Sequence, residues 1–308
     1  MSRAGRIVRV TVPATSANLG PGFDSLGLAL DLHDIVMAGL GADGLEVAVT
    51  GVGADDLPRD GTHLVVRAMR TAFDELGISP GGLRVHCTNS VPHGRGLGSS
   101  AAAIVAGVLA ARALAGAPED DNAVLAVATR LEGHPDNVAP CLLGGLTIAW
   151  TVGGSVRAIG VDVHPDVRPV LCVPSGRLST EAARGLLPDV VPHGEAARNA
   201  GRAALLVEAL TRRPDLLLDA TEDALHQPYR EPAMPETLAL VRELRSRGLA
   251  AAVSGAGPSV LVLTSGVETV PALPGWDVVR LAVDRRGATL TWSDEVAGAD
   301  LDANGDRG

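Results

Sequence analysis

Residues 92–100, Pro92-His93-Gly94-Arg95-Gly96-Leu97-Gly98-Ser99-Ser100, decide how this 308-residue chain is read. Before them lies LRVHCTNS (83–90), which predicts a strand. After them, SAAAIVAGVLAARALAG (100–116) predicts an Ala-rich helix ending at Gly116. Glycines at a strand-to-helix junction let the backbone approach an anion closely and take positive φ. The helix offers free N–H groups and the positive end of its dipole, roughly half a unit charge, to phosphate oxygens. Ser99 and Ser100 can cap the helix, donate to phosphate or ligate a metal. A glycine-rich turn with a serine cap is the plainer alternative; the phosphate loop is favoured. A dinucleotide loop is disfavoured. The spacing is G-x-G-x-G, and the acids Glu119 and Asp120 lie beyond the helix instead of ending a second strand.

Outward from the loop the chain reads as α+β in two halves. RIVRVTV (6–12) alternates as a strand and enters a loop of small and polar residues, PATSANLGPGFDSLG (13–27). LALDLHDIVMAGL (28–40) and LEVAVTG (45–51) predict strands, and THLVVRAMRTAFDELG (62–77) a helix closed by Gly77. A helix near 119–131 runs into the turn EGHPDNVAP (132–140), and strands follow at LTIAW (146–150) and 155–161. A boundary near 162–167 divides a first half, 1–164, from a second, 165–293. The second half opens on the strand RPVLCVP (168–174), with helices near 179–187, 194–212, 214–226 and 235–247. The strands AAVSG (251–255), SVLVLTS (259–265), DVVRLAV (277–283) and ATLTW (288–292) alternate with turns. The acidic tail 294–308 has no periodicity and is expected to be disordered.

Composition removes several function classes. Hydrophobic residues make up 46%, yet no apolar run is long enough to cross a bilayer, and MSRAGRIVRVTVPATS carries no h-region or cleavage site. A soluble, cytoplasmic protein without a membrane partner is expected. A net charge of −10 argues against a nucleic-acid partner, which needs a basic face. Cys87, Cys141 and Cys172 are odd in number and far apart, and read as buried reduced thiols. All 26 basic residues are Arg, so Schiff bases and the lysine of a Walker A loop are excluded. Arg is the only permanent cation available to grip a carboxylate or phosphate.

PHGRGLGSSAA (92–102) resembles the central nucleotide-binding motif of the GHMP kinases. PATSANLGPGFDSLGLAL (13–30) and EGHPDNVAPCLLGGL (132–146) resemble signatures of the homoserine kinase branch, and SGAGPSVLVL (254–263) the third GHMP motif. The motifs stand in the expected order and span most of the chain. The resemblance implies a first domain like ribosomal S5 domain 2, with a left-handed βαβ crossover, and a ferredoxin-like second domain. It implies ATP-dependent phosphorylation of the side-chain hydroxyl of L-homoserine in threonine biosynthesis, with Mg²⁺ as cofactor and a homodimer as the assembly.

It also implies roles for particular residues. Nucleotide binding falls to Pro92, His93, Gly94, Arg95, Gly96, Leu97, Gly98, Ser99, Ser100, Ala101 and Ala102. The family often has an Asn-Leu pair near the adenine; His63-Leu64 stands here, which leaves purine preference open with ATP the first choice. Ser100 and Glu132 are the expected metal ligands, hard oxygens of the kind Mg²⁺ takes. Many GHMP kinases place an Asp and a Lys near the transferred group, whereas this chain has Asn137 and no lysine. An amide cannot take a proton, but orientation alone can be worth ~7–11 kcal/mol. Asn137 and Asn18 are expected to position the acceptor hydroxyl without a side-chain base, with Asp24 or Asp136 as fallback bases. Arg184 and Arg230 are expected to hold the acceptor carboxylate, with Thr180 beside the first. Asp24 would take the ammonium (a turn-capping role is the even alternative), and His134 and Gly257 complete the acceptor site. His33, His86, His93, His164, His193 and His226 lack metal spacing and read as structural. The rivals are another GHMP kinase, a silent nucleotide binder and, weakest, a dinucleotide-dependent oxidoreductase.

Overall fold

The computed structural model describes residues 6–266 and 269–293, so the expectation for the tail at 294–308 lies outside the described residues. The first sheet begins with the antiparallel strands β1 (Ile7–Ala17) and β2 (Leu26–Gly41), which stay paired although their register shifts at a bulge between Pro13 and Ala14. The strand therefore continues through 13–17, which the small polar residues had marked as loop. Parallel strands β3 (Gly44–Gly51) and β4 (Gly82–Asn89) are joined through α1 (Leu64–Glu75), and β4 pairs with β2. The other end of β2 pairs with β5 (Leu146–Val152), which pairs with β6 (Ser155–Val161).

Helices α2 (Ser99–Ala115), α3 (Asp121–Glu132) and α4 (Pro135–Leu143) complete this half. α2 carries ten buried residues, most of them Ala or Val, as expected of a helix packed on nearly all sides. Val8, Val10 and Val12 of β1 alternate into the same core, with Met69 and Phe73 of α1. The segment read as the turn EGHPDNVAP is largely α4. Pro135 occupies its first turn, where a missing N–H costs nothing, and Pro140 inside it masked the helical pattern.

The second sheet is formed by β7 (Val167–Pro174), β8 (Ala250–Val253), β9 (Val260–Ser265) and β10 (Trp276–Arg280). The order β10-β7-β9-β8, antiparallel throughout, is ferredoxin-like, as expected. Helices α5 (Thr180–Arg184), α6 (His193–Thr211), α7 (Leu217–Ala220), α8 (Gln227–Arg230) and α9 (Pro235–Ser246) lie between β7 and β8. The expected helix at 214–226 reduces to the single turn of α7 after a short 3₁₀ turn. Thr289–Ser293, counted with the second half in the sequence, forms β11 on the outer edge of β1. The α+β, two-domain architecture is otherwise as read. The three cysteines are buried and free; burial pushes Cys87 up to about 12 and Cys172 to about 11.

Candidate active site

One cleft gathers residues from both halves. Gly94, Gly96, Leu97, Gly98, Ser99 and Ser100 form one wall, and Glu132, His134, Asp136 and Asn137 another. Thr180, Arg184, Arg230, Gly255 and Ala256 come from the second half, and Asn18 from the loop after β1.

The glycine-rich loop is shaped for close approach. Gly96 and Gly98 have φ near 71° and 68°; a Cβ on Gly98 would lie 1.9 Å from Thr15 Oγ1, and one on Gly96 2.1 Å from the Ser254 carbonyl oxygen. Gly98 is the N-cap of α2 and no side chain caps it, so the first N–H groups of a 17-residue helix face the cleft. Pro92 and His93 precede this turn, and Ala101 and Ala102 lie buried inside α2. Arg95 points elsewhere. Its Nε donates to the Pro174 carbonyl (3.0 Å), Nη2 to Ser175 (2.8 Å) and Nη1 to His93 (3.2 Å), tying the loop to the second half.

Beside the loop a second, largely apolar pocket is lined by Leu57, Leu64, Asn89, His93, Ser99 and His63. His63 is 4% exposed, and its Nδ1 has no partner among the described residues. Burial, then the nearby charge of His93, lowers its pKa.

Ser100 Oγ donates to Glu132 Oε2 at 2.6 Å. Desolvation raises the Glu132 pKa, only partly offset by that hydrogen bond. Two hard oxygens from the start of α2 and the end of α3 thus meet next to the uncapped helix. That donor set fits Mg²⁺.

Asn137, near the start of α4, accepts a hydrogen bond on Oδ1 from the Thr15 hydroxyl at 2.8 Å. This fixes its amide and leaves the NH₂ as the end that can face a ligand. Asn18 is held at both ends of its amide: Nδ2 donates to the Gly255 carbonyl (3.0 Å), and Oδ1 accepts from the Asp24 backbone N–H (3.1 Å). Among described residues other than glycine, only Asn18, Leu19 and Asp24 have positive φ, all within this loop. His134 Nδ1 and Asp136 Oδ1 lie 2.5 Å apart. Burial pulls the His134 pKa down, but the hydrogen bond and charge of Asp136, with Glu132, outweigh it and raise the net value.

The two arginines differ. Arg184 donates to both oxygens of Asp24, Nη2 to Oδ1 at 2.5 Å and Nη1 to Oδ2 at 3.1 Å, and this pairing raises its pKa. Arg230 is 1% exposed, and its hydrogen-bond partners among the described residues are neutral. Nη1 donates to the Gly255 carbonyl and to His226 Nδ1, each at 3.1 Å, and Nε has no partner. Burial, and then the charge of Arg184, lowers the Arg230 pKa. Both guanidinium groups stand over the Phe23 ring, at 5.5 and 5.6 Å. Gly257 lies just behind Gly255 and Ala256, its N–H donating to the Ser254 carbonyl. Thr15, Phe23, Gly255 and His226 were not singled out from the sequence. Thr15, Phe23 and Gly255 lie inside quoted motifs but carry no distinctive chemistry alone, and His226 had no spacing to mark it.

The model for the "GHMP kinases N terminal domain" matches residues 63–145, and that for "GHMP kinases C terminal" matches 196–270. The chain is 57% identical over 290 residues to a homoserine kinase of Streptomyces avermitilis, covering 92% of this chain and 95% of that one. It is 52% identical over 303 residues to a homoserine kinase of Clavibacter michiganensis, covering 94% and 96%. The crystal structure of a homoserine kinase from Cytophaga hutchinsonii superposes with a TM-score of 0.82 at 27% identity, covering 94% of this chain and 99% of that one.

Proposed function

Because the chain belongs to the GHMP kinases and, within them, to the homoserine kinases, we infer that it transfers the terminal phosphoryl group of ATP to the side-chain hydroxyl of L-homoserine. The products are O-phospho-L-homoserine and ADP, and the step belongs to threonine biosynthesis. The observation that carries the acceptor is Arg230: a buried guanidinium whose direct hydrogen-bond partners are neutral is left open to an anion, and its planar fork suits a carboxylate. It lines the same cleft as the uncapped start of α2. An amino acid and a nucleotide phosphate would therefore meet there.

In this reading the N–H groups at the start of α2, with Gly94–Ser100, hold the phosphates. The pocket beside His63 takes the base. Ser100 and Glu132 would hold Mg²⁺, which when bound supplies positive charge against the phosphate oxygens. Asn137, steadied by Thr15, turns its NH₂ to the acceptor oxygen and orients it. Asn18 shapes the acceptor loop, holding Asp24 where it can meet an ammonium. Arg230 takes the carboxylate, and Arg184 and Thr180 close that side. His134 lines the acceptor end of the cleft, and Gly257 supports Gly255 and Ala256 from behind. Phosphoryl transfer of this kind rests on positioning and charge neutralisation. As the new P–O bond forms and the bond to ADP breaks, the hydroxyl proton passes to an oxygen of the transferred phosphoryl group, so no side-chain base is required.

The division of labour follows the halves, 1–164 holding the nucleotide and 165–293 completing the acceptor site, with β11 returned to the first sheet. A cytoplasmic homodimer without nucleic-acid or membrane partner belongs to the same reading and rests on the resemblance alone.

The test is Mg²⁺-dependent ADP release from ATP across L-homoserine, L-serine, mevalonate, galactose and shikimate. Release with homoserine alone is expected. Turnover of another alcohol would remove the acceptor assignment while leaving the phosphate loop standing.

A further inference from the structure

His226 is fully buried directly before α8, and both of its ring nitrogens are engaged. Nε2 lies 2.8 Å from the Gly20 carbonyl oxygen, and Nδ1 lies 3.1 Å from Arg230 Nη1. A guanidinium can only donate, so Nδ1 must be the bare nitrogen. The proton then sits on Nε2 and donates to Gly20. The ring is neutral in this arrangement, in keeping with the burial that lowers its pKa.

The local backbone places the two side chains together. His226 and Arg230 are four residues apart on one helical turn, so they stack on the same face. Asp223 fixes the start of that turn, its carboxylate accepting from the backbone N–H groups of Leu225, His226 and Gln227. The imidazole also stacks on Phe23, with ring centroids 5.2 Å apart. Gly20 and Phe23 belong to the loop that carries Asn18 and Asp24.

We propose that His226 is a positioning residue for acceptor binding: its bare Nδ1 accepts from Arg230 and aims that guanidinium into the cleft, while its Nε2–H clamps the loop bearing Asp24 through the Gly20 carbonyl. The inference rests on the reading of Arg230 as the carboxylate anchor. Without His226, Arg230 keeps the Gly255 carbonyl as its one hydrogen-bond partner and can turn about it.

Two substitutions separate the nitrogens. His226→Asn places an amide oxygen near the position of Nδ1 and loses the reach to Gly20. His226→Gln keeps a donor near Nε2 and loses the acceptor for Arg230. Steady-state kinetics would be run with L-homoserine and with 3-aminopropan-1-ol, the same amino alcohol without its carboxylate. For His226→Gln, kcat/KM for homoserine should fall about ten- to a hundredfold through KM, the range for a hydrogen bond to a charged group. The KM for ATP should hold, and kcat/KM for 3-aminopropan-1-ol should be unchanged. His226→Asn keeps an acceptor for Arg230 but loses the clamp on the loop bearing Asp24, so its rise in KM should fall on L-homoserine and on 3-aminopropan-1-ol alike. An unchanged KM for homoserine in either variant, a parallel rise in the KM for ATP, or the same loss with 3-aminopropan-1-ol in His226→Gln would overturn the proposal.

Should neither variant fold, ¹⁵N shifts of the wild-type imidazole decide it. A protonated Nε2 with a bare Nδ1 is expected, and a protonated Nδ1 would overturn it. Failure of the wild type to phosphorylate homoserine would instead refute the acceptor assignment, and it is read in the same assay before any variant.

Discussion

Asp24 and Arg184, 160 residues apart, hold each other through both carboxylate oxygens and two guanidinium nitrogens. Each is about one-third exposed, so the pair contributes at most ~1 kcal/mol to folding. Partners held that weakly can be exchanged. A zwitterionic amino acid offers an ammonium to Asp24 and a carboxylate to Arg184, replacing one ion pair by two without leaving a charge alone.

The first prediction follows from that exchange. Asp24→Asn and Arg184→Ala should each raise the KM for homoserine about ten- to a hundredfold, with kcat nearly unchanged, because a charge-assisted bond is lost from binding alone. The KM for ATP should stay put. If Asp24→Asn left homoserine affinity intact and abolished kcat, Asp24 would be a proton acceptor, and the scheme without a base would fail.

Arg230 should behave differently in stability. Replacing a buried ionic group by an apolar side chain of similar volume is often neutral or stabilising, by about 1–4 kcal/mol. Arg230→Met removes a buried cation whose hydrogen-bond partners are neutral, at the cost of freeing His226 Nδ1 and the Gly255 carbonyl. Its melting temperature should match or exceed that of the wild type, while kcat/KM for homoserine falls at least about a hundredfold. A marked drop in melting temperature would show that Arg230 is a structural member of the core.

Gly98→Ala tests the phosphate loop. The new Cβ would lie 1.9 Å from Thr15 Oγ1 and 3.0 Å from Asn137 Oδ1, at φ of 68°. The left-handed backbone costs about 1–2 kcal/mol for a residue with a Cβ, before any clash is counted. The loop must shift, pushing apart Thr15, Asn137 and the start of α2 together. Both a higher KM for ATP and a kcat at least tenfold lower are expected; wild-type kinetics would show that the loop lies outside the reaction.

The His134–Asp136 pair sets a pH dependence. The folded imidazole has its pKa raised above the ordinary value of about 6.5, net of burial, by Asp136 and then Glu132. A raised folded value means that the pair's stabilisation is fully present below the unfolded value and is lost as pH rises through the folded one. Unfolding free energy should therefore decline from about pH 6.5 upward through the folded midpoint. Asp136→Asn should flatten that decline and bring the His134 NMR midpoint down. An unchanged midpoint would remove Asp136 as the cause.

Sequence reasoning reached the phosphate loop because its chemistry is local. Three glycines and two serines at a strand-to-helix junction are contiguous, and a helix start needs no distant partner to bind an anion. The two-half α+β organisation was legible for the same reason, through alternation in stretches such as RIVRVTV (6–12), the first part of β1. The pairing of Asp24 with Arg184 was not legible, since it joins a turn in one half to a five-residue helix in the other. His226 was read as structural because its meaning depends on Gly20 and Arg230 both being near, and only the folded chain brings Gly20 there. α4 was missed because Pro140 interrupts the pattern that a helix would otherwise show.

The edge strand β11 sets the order in which the molecule can be finished. Residues 289–293 lie against β1 but follow the ferredoxin-like half in the chain, so that entire half must be synthesised after β1 and before its edge is covered. Until then the outer rim of β1 is a bare row of donors and acceptors, open to pairing with any other strand. A nascent chain stalled after β10 would carry the whole glycine-rich loop and both arginines, yet still expose a sticky border.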